Sequence, residues 1–225
     1  CGTALAAAIG LLALRTSGVA FMIVTMMFAQ AFFLTILYFG TFTRGDEGFV
    51  IPAAARRIEM LGLDLATPVV RYNLALALLA AALLACLAIV RSPAGRVLVA
   101  IRENETRTRM LGYDTFRYKL LAITVSGTFA GAAGALYALL FAYVGATFAG
   151  TAYSIYPILW GLLGGIGTTL GPLAGTTLMF YLVDISSGFT SAYMLFVGLA
   201  LVLVVLWFPK GILGTMRERW LPWLP

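Results

Sequence analysis

Residues 120–183 contain no Asp, Glu, Lys or Arg, and after Asp184 the next charged residue is Lys210. Runs of that length belong in lipid, because about 20 apolar residues are enough to cross the hydrocarbon core as a helix. The other structure that satisfies its backbone in a bilayer is a closed barrel, whose strands alternate apolar and polar residues. These runs do not alternate. Charged residues make up 11% of the chain and mean hydropathy is +0.99, whereas about a quarter of a soluble domain is charged. The expected fold class is all-α: a polytopic bundle of transmembrane helices.

The ends and the rare residues narrow the reading. The chain opens at Cys1 inside an apolar stretch, which reads as a fragment lacking its N-terminal part. A processed lipoprotein also begins with Cys, but would not enter lipid at once. Cys86 lies deep in an apolar run, so no disulfide framework is legible. The net charge of +6 comes from cations clustered beside apolar runs. It is loop asymmetry and not a nucleic-acid surface.

Apolar stretches are expected up to Leu14 and at 19–40, 72–90, 120–143, 154–164, 172–184 and 192–208. The loop from Arg91 to Lys119 holds seven cations, namely Arg91, Arg96, Arg102, Arg107, Arg109, Arg117 and Lys119, and the tail holds Lys210, Arg217 and Arg219. The positive-inside bias puts both on the cytoplasmic side, so an even number of crossings must join them. The break GGIGTTLGP, Gly164 to Pro172, supplies the extra pass by splitting the middle stretch into two thin crossings or a re-entrant hairpin. The 43–71 loop then faces outside and Arg15 inside.

The most unusual polar segment is RENETRTRMLGYD, from Arg102 to Asp114. Ser92-Pro93 is a good helix opening, with a cap and then Pro at the first helical position. Gly112 suits the left-handed residue that ends a helix after Leu111. Asp114 or Thr115 can cap the next helix. The segment therefore reads as one short cytoplasmic helix. Its mixed charge beside Met110 and Leu111 suits a protein-docking surface, while charge runs are usually solvated connectors. From the residues alone both remain open.

The order SPAGRVLVAIRENETRTRMLGYDTFRYKLLAITVSGTFAGAAGALYA, followed by GGIGTTLGP and FPKGILG and preceded by GDEGFVIP, resembles the permease subunits of branched-chain amino-acid ABC importers, the Liv type. The resemblance covers nearly the whole chain. It implies a single permease domain over 1–225, similar to the type II ABC importer class, with a cytoplasmic coupling loop at 91–118. It also implies partners: ATPase subunits, a second permease subunit and an external substrate-binding protein facing the 43–71 loop, all at a bacterial plasma (inner) membrane. The coupling helix falls on Ile101 to Gly112, with Arg102, Glu103, Asn104, Glu105, Arg107 and Arg109 as its polar face. ATP would bind to the partner subunit, since the chain has no G-x-x-x-x-G-K-[ST] to cradle a phosphate. GGIGTTLGP lacks the Lys, and no cofactor is expected in this chain.

The apolar segments carry packing signals. Gly127, Gly131 and Ala135 recur every four residues, with Ala130, Gly134 and Ala138 on a neighbouring line, and small residues at that spacing let helix backbones approach. Gln30, just over one turn beyond Thr25, must find a partner in lipid. Asp184 reads as a boundary residue at the end of its short helix. The break at Gly164, Gly165, Gly167 and Thr168 is a candidate for the translocation path, together with Gln30 and Thr25. Interrupted helices expose backbone dipoles that could meet a zwitterion, although a plain turn explains the break equally well.

With no His, no Cys pair and no two carboxylates in one span, neither a metal site nor an acid–base pair is expected. Adjacent Asp46 and Glu47 read as a turn. The expected function is passage of branched-chain amino acids driven by a separate ATPase. The alternatives are a passive channel for small polar solutes and a membrane-embedded enzyme.

Overall fold

A computed structural model describes residues 1–52, 57–58, 63–64, 67–165, 167–189, 193–208 and 211–219. It is helical, as expected, and divides into two compact units, 1–151 and 152–225.

In the first unit, α1 (Gly2–Ala13), α2 (Val19–Tyr38), α4 (Pro68–Arg91) and α7 (Thr115–Phe141) form the membrane layer. Three of them, α2, α4 and α7, are long and apolar enough to cross a bilayer, and α1 is a shorter apolar helix. Between them come a single turn, α3 (Gly40–Thr43), two charge-bearing helices, α5 (Pro93–Glu103) and α6 (Glu105–Met110), and four two-residue strands, β1 (Phe49–Val50), β2 (Arg57–Ile58), β3 (Leu63–Asp64) and β4 (Tyr143–Val144). The long helices bury almost nothing within this chain. That is the pattern of helices made to face lipid or other helices rather than water.

The expected boundaries shift for local reasons. Helix α4 starts at Pro68, a favourable first position, and α7 starts at Thr115, because the Asp114 carboxylate accepts the Arg117 N–H at 3.2 Å. The segment expected as one helix up to Leu111 is two. Asn104 is extended (φ −158°, ψ 100°), and its side chain accepts the Arg107 N–H at 2.9 Å. Asn is among the strongest N-caps, so this residue ends α5 and starts α6.

Helix α1 lies antiparallel on α7. Gly2 meets Gly127 and Gly131, Ala6 meets Gly127, and Gly10 meets Leu120 and Ile123. One of the two small-residue lines is thus used for close approach, while Gly134 on the other faces open space. At the opposite end from the charged segment, β1 pairs antiparallel with β4, Phe49 opposite Val144 and Val50 opposite Tyr143. The guanidinium of Arg71, in the first turn of α4, donates to the Leu140 carbonyl at 3.0 Å. These contacts tie the outer ends of α2, α4 and α7 together. A second two-stranded ribbon joins β2 to β3.

The second unit holds α8 (Thr151–Gly164) apart from its first residue, which belongs to the first unit, then α9 (Gly171–Phe189), α10 (Tyr193–Trp207) and α11 (Ile212–Arg219). Helix α9 runs five residues past the expected end, so Asp184 is inside the helix and exposed, its carbonyl accepting the Ser187 hydroxyl at 2.8 Å. Helices α8 and α9 cross backbone to backbone, since a Cβ on Gly164 would stand 2.7 Å from the Gly175 nitrogen. Gly211 (φ +78°) seats on Gly165 and 2.8 Å from the Leu162 carbonyl, measured from its would-be Cβ. The α8–α9 turn therefore reaches the same end of this unit as the C-terminus of α10. Lys210 and residues 220–225 lie outside the described residues.

Candidate functional site

The polar side chains of the first unit concentrate where α5 and α6 run beneath the membrane helices. Helix α5 leaves α4 through a corner built by two residues. The Ser92 hydroxyl donates to the Ile89 carbonyl at 2.6 Å and accepts the Gly95 N–H at 3.1 Å. Gly95 then lies so close to the end of α4 that a Cβ would collide with the Ile89 carbonyl and stand 2.6 Å from that of Val90. Further along, Ile101 is buried.

Helix α6 is held to α7 by polar contacts. Lys119 Nζ donates to Glu105 Oε2 at 2.6 Å, and Arg109 reaches Glu105 Oε1 at 3.4 Å and the Thr115 hydroxyl at 3.3 Å. Thr108 and Thr115 are each only 2% exposed, and the Thr108 hydroxyl donates to the Asn104 carbonyl at 2.9 Å. The hydrogen bond from Lys119 holds the Glu105 carboxyl below its ordinary pKa. Partial burial opposes this, while the charge of Lys119, the Thr115 hydroxyl and Arg109 reinforce it. Gly112 takes the left-handed conformation (φ +87°) expected of it.

The candidate docking residues therefore divide in two. Glu105 and Arg109 contact the chain's own α7. Arg102, Glu103 and Arg107 are exposed, as are Met110 at 81% and Leu111 at 71%. Two adjacent large apolar side chains thus stand bare at the end of a polar helix. Sequence reading passed over Gly95 and weighed Thr115 only as a helix cap. Lys119 counted there only as the last charge before the apolar run, although its place one turn into a capped helix marks it as facing the preceding turn.

The path candidates of each unit make local contacts. Gln30 Oε1 accepts the hydroxyl of Thr151, the first residue of α8, at 3.0 Å. The Thr25 hydroxyl is spent on its own helix, donating to the Phe21 and Met22 carbonyls at 3.0 and 2.9 Å. In the second unit the break is a closed turn: the Gly165 carbonyl accepts both the N–H and the hydroxyl of Thr168 at 3.2 Å, and the Thr168 carbonyl accepts the Gly171 N–H at 3.3 Å. Thr168 is 5% exposed. Gly164, Gly165 and Thr168 act there as packing and turn residues. Among the described residues no cluster of His, Cys, Asp or Glu could hold a metal.

Comparison with known proteins bears on this arrangement. The family described as "Branched-chain amino acid transport system / permease component" matches residues 1–206. Among curated proteins, the high-affinity branched-chain amino acid transport system permease protein LivM of Salmonella typhimurium is 30% identical over 148 residues, and LivM of Escherichia coli is 30% identical over the same length. Each alignment covers 66% of this chain and 35% of the relative, so the chain spans about a third of the length of these proteins. No solved structure matches it significantly. With the family pattern running from Cys1 through nearly all of α10, and apolar helices of membrane-spanning length beneath it, the chain belongs to the multi-pass permease components of branched-chain amino-acid transport systems.

Proposed function

We propose that this chain is part of the permease of an ABC importer that carries branched-chain amino acids across a bacterial plasma membrane. A second permease subunit shares the path, cytoplasmic ATPase subunits bind the ATP, and an external binding protein delivers substrate at the β1–β4 side. The chain itself makes and breaks no covalent bond. Its task is to change which side of the membrane the path faces.

The observation that carries this reading is the two-sided character of α5–α6. One side is fixed to α4 and α7 by the Gly95 corner and the Glu105–Lys119 contact, while the other presents Arg102, Glu103, Arg107, Met110 and Leu111 to whatever lies below. A surface of bare apolar side chains ringed by mixed charge suits a protein partner, whereas contact with anionic lipid favours cations alone. A solvated connector would have no need to be tied down at both ends.

The test is co-purification with the ATPase, together with uptake by the reconstituted importer containing the full permease. Replacing Arg107 and Met110 by Ala should leave insertion intact, weaken ATPase binding and remove ATP-driven uptake. Uptake that persists without any ATPase would favour a passive facilitator instead.

A further inference from the structure

We infer that Glu105 and Lys119 form the joint through which displacement of the coupling segment is passed to the membrane helices. This rests on the docking reading above and goes beyond it by naming where, inside the permease, the motion enters.

The joint is defined by geometry. Helix α6 has six residues, too short to hold its own position by helix propensity in water. It is also separated from α5 by the extended backbone of Asn104, so α5 cannot steer it as one rigid rod. What fixes α6 is its polar side: Lys119 Nζ on Glu105 Oε2 at 2.6 Å, and Arg109 bridging Glu105 Oε1 and the buried Thr115 hydroxyl. Glu105 lies on the docking segment, and Lys119 lies on α7. Both side chains are about one-third exposed, at 36% and 31%, so the contact is sheltered but can part without leaving a charge stranded in a dry core. That distinguishes it from Arg117–Asp114, an exposed pair within one turn at 2.9 Å, which links nothing to anything else.

Above Lys119 the connection continues. The next residues of α7, Leu120 and Ile123, touch Gly10 of α1, and one turn further Gly127 touches Ala6. An open cavity of about 280 Å³ lies beside Lys119, bounded by Thr16, Ser17, Phe21 and Leu98, and leaves room for the foot of α7 to shift. A push on α6 therefore reaches α7 and α1 through one ionic contact and one close-packed backbone face. Glu105 and Lys119 act here as positioning residues, since neither needs to touch the substrate.

The experiment uses the reconstituted importer with its full permease. Lys119→Met and Glu105→Gln remove the contact but leave Arg102, Glu103, Arg107, Met110 and Leu111 in place, and Lys119→Arg keeps the charge. Lys119→Met should still co-purify with the ATPase and keep its basal hydrolysis, while in both single variants uptake per ATP hydrolysed falls by about tenfold, the scale of a typical coupling free energy. The double variant should lose no more than either single one, because each already breaks the same contact. Lys119→Arg should retain most of the uptake. Uptake per ATP unchanged in Lys119→Met, or losses that simply multiply in the double variant, would overturn the joint while leaving the docking reading intact. A parent permease that fails to bind any ATPase would overturn the docking reading and the joint with it.

Discussion

Replacing Gly95 by Ala gives the sharpest test of the corner between α4 and α5, because two effects of opposite sign compete there. In an unobstructed helix Ala is favoured over Gly by roughly 0.5–1 kcal/mol. At Gly95, however, the new Cβ would stand 2.6 Å from the Val90 carbonyl oxygen and closer still to that of Ile89. A relaxed carbon–oxygen contact is about 3.3 Å, so the corner must open by at least about 0.7 Å. Both oxygens belong to the backbone and cannot rotate away. If α5 pivots near Ser92, Gly95 lies about 4.5 Å from the pivot and Asn104 about 18 Å, so the far end swings by roughly 3 Å.

Because the extended Asn104 separates the two helices, that displacement would strain the link between α5 and α6 rather than carry α6 along with it. The strain itself falls in the range of about 1–3 kcal/mol found for overpacked sites. Purified Gly95→Ala permease should therefore melt at a lower temperature than the parent, and ATP-driven uptake should fall although the protein still inserts. A melting temperature equal to or above the parent's, with full uptake, would show that helix propensity wins and that the corner does not set the position of α5.

Three further outcomes follow from the same contacts. Because Glu105 titrates below its unfolded value, its pairing contributes stability above the ordinary glutamate range and loses it as pH falls through the depressed folded value. A distance probe between α6 and α7 should thus show release only in distinctly acidic solution, and release already near about pH 6, above the ordinary glutamate range, would contradict the pairing. Gly211→Ala should destabilise the second unit, since a left-handed Ala costs about 1–2 kcal/mol and its Cβ would press on Gly165. Gly134→Ala, which meets nothing within 4 Å, should be harmless by the same thermal assay. Gln30→Leu should cost about 0.6 kcal/mol, a typical inter-helix hydrogen bond in a membrane, whereas Thr25→Val should change stability less, because that hydroxyl only bonds its own helix.

The membrane layer was legible because lipid imposes a coarse rule. Every apolar run read from the sequence became a helix, and most boundaries that moved did so at a capping residue or a helix-starting Pro, such as Asp114 and Pro68. The Asn104 break escaped notice because one Asn in a charged stretch looks like any exposed helical residue until its backbone is seen to be extended. Hydropathy also has nothing to say about which polar groups meet. Lys119 and Glu105 are fourteen positions apart, on different helices, and only the turn at Gly112 brings them together. The same blindness affected the glycines. Gly-rich GGIGTTLGP suggested exposed backbone, yet Gly164, Gly171, Gly175 and Gly211 are glycine because other backbones occupy the space a side chain would need.

Helix α7 is fastened differently at its two ends. Near Leu140 it is clipped by Arg71 and by the short ribbon with β1, whereas at Lys119 it is gripped by a contact that water can reach. A rod some 40 Å long that is pinned at the top and nudged at the bottom tilts instead of sliding. Its excursions are then widest at the cytoplasmic mouth and vanish towards the outer rim, so the two entrances of such a pathway would answer the same stroke unequally.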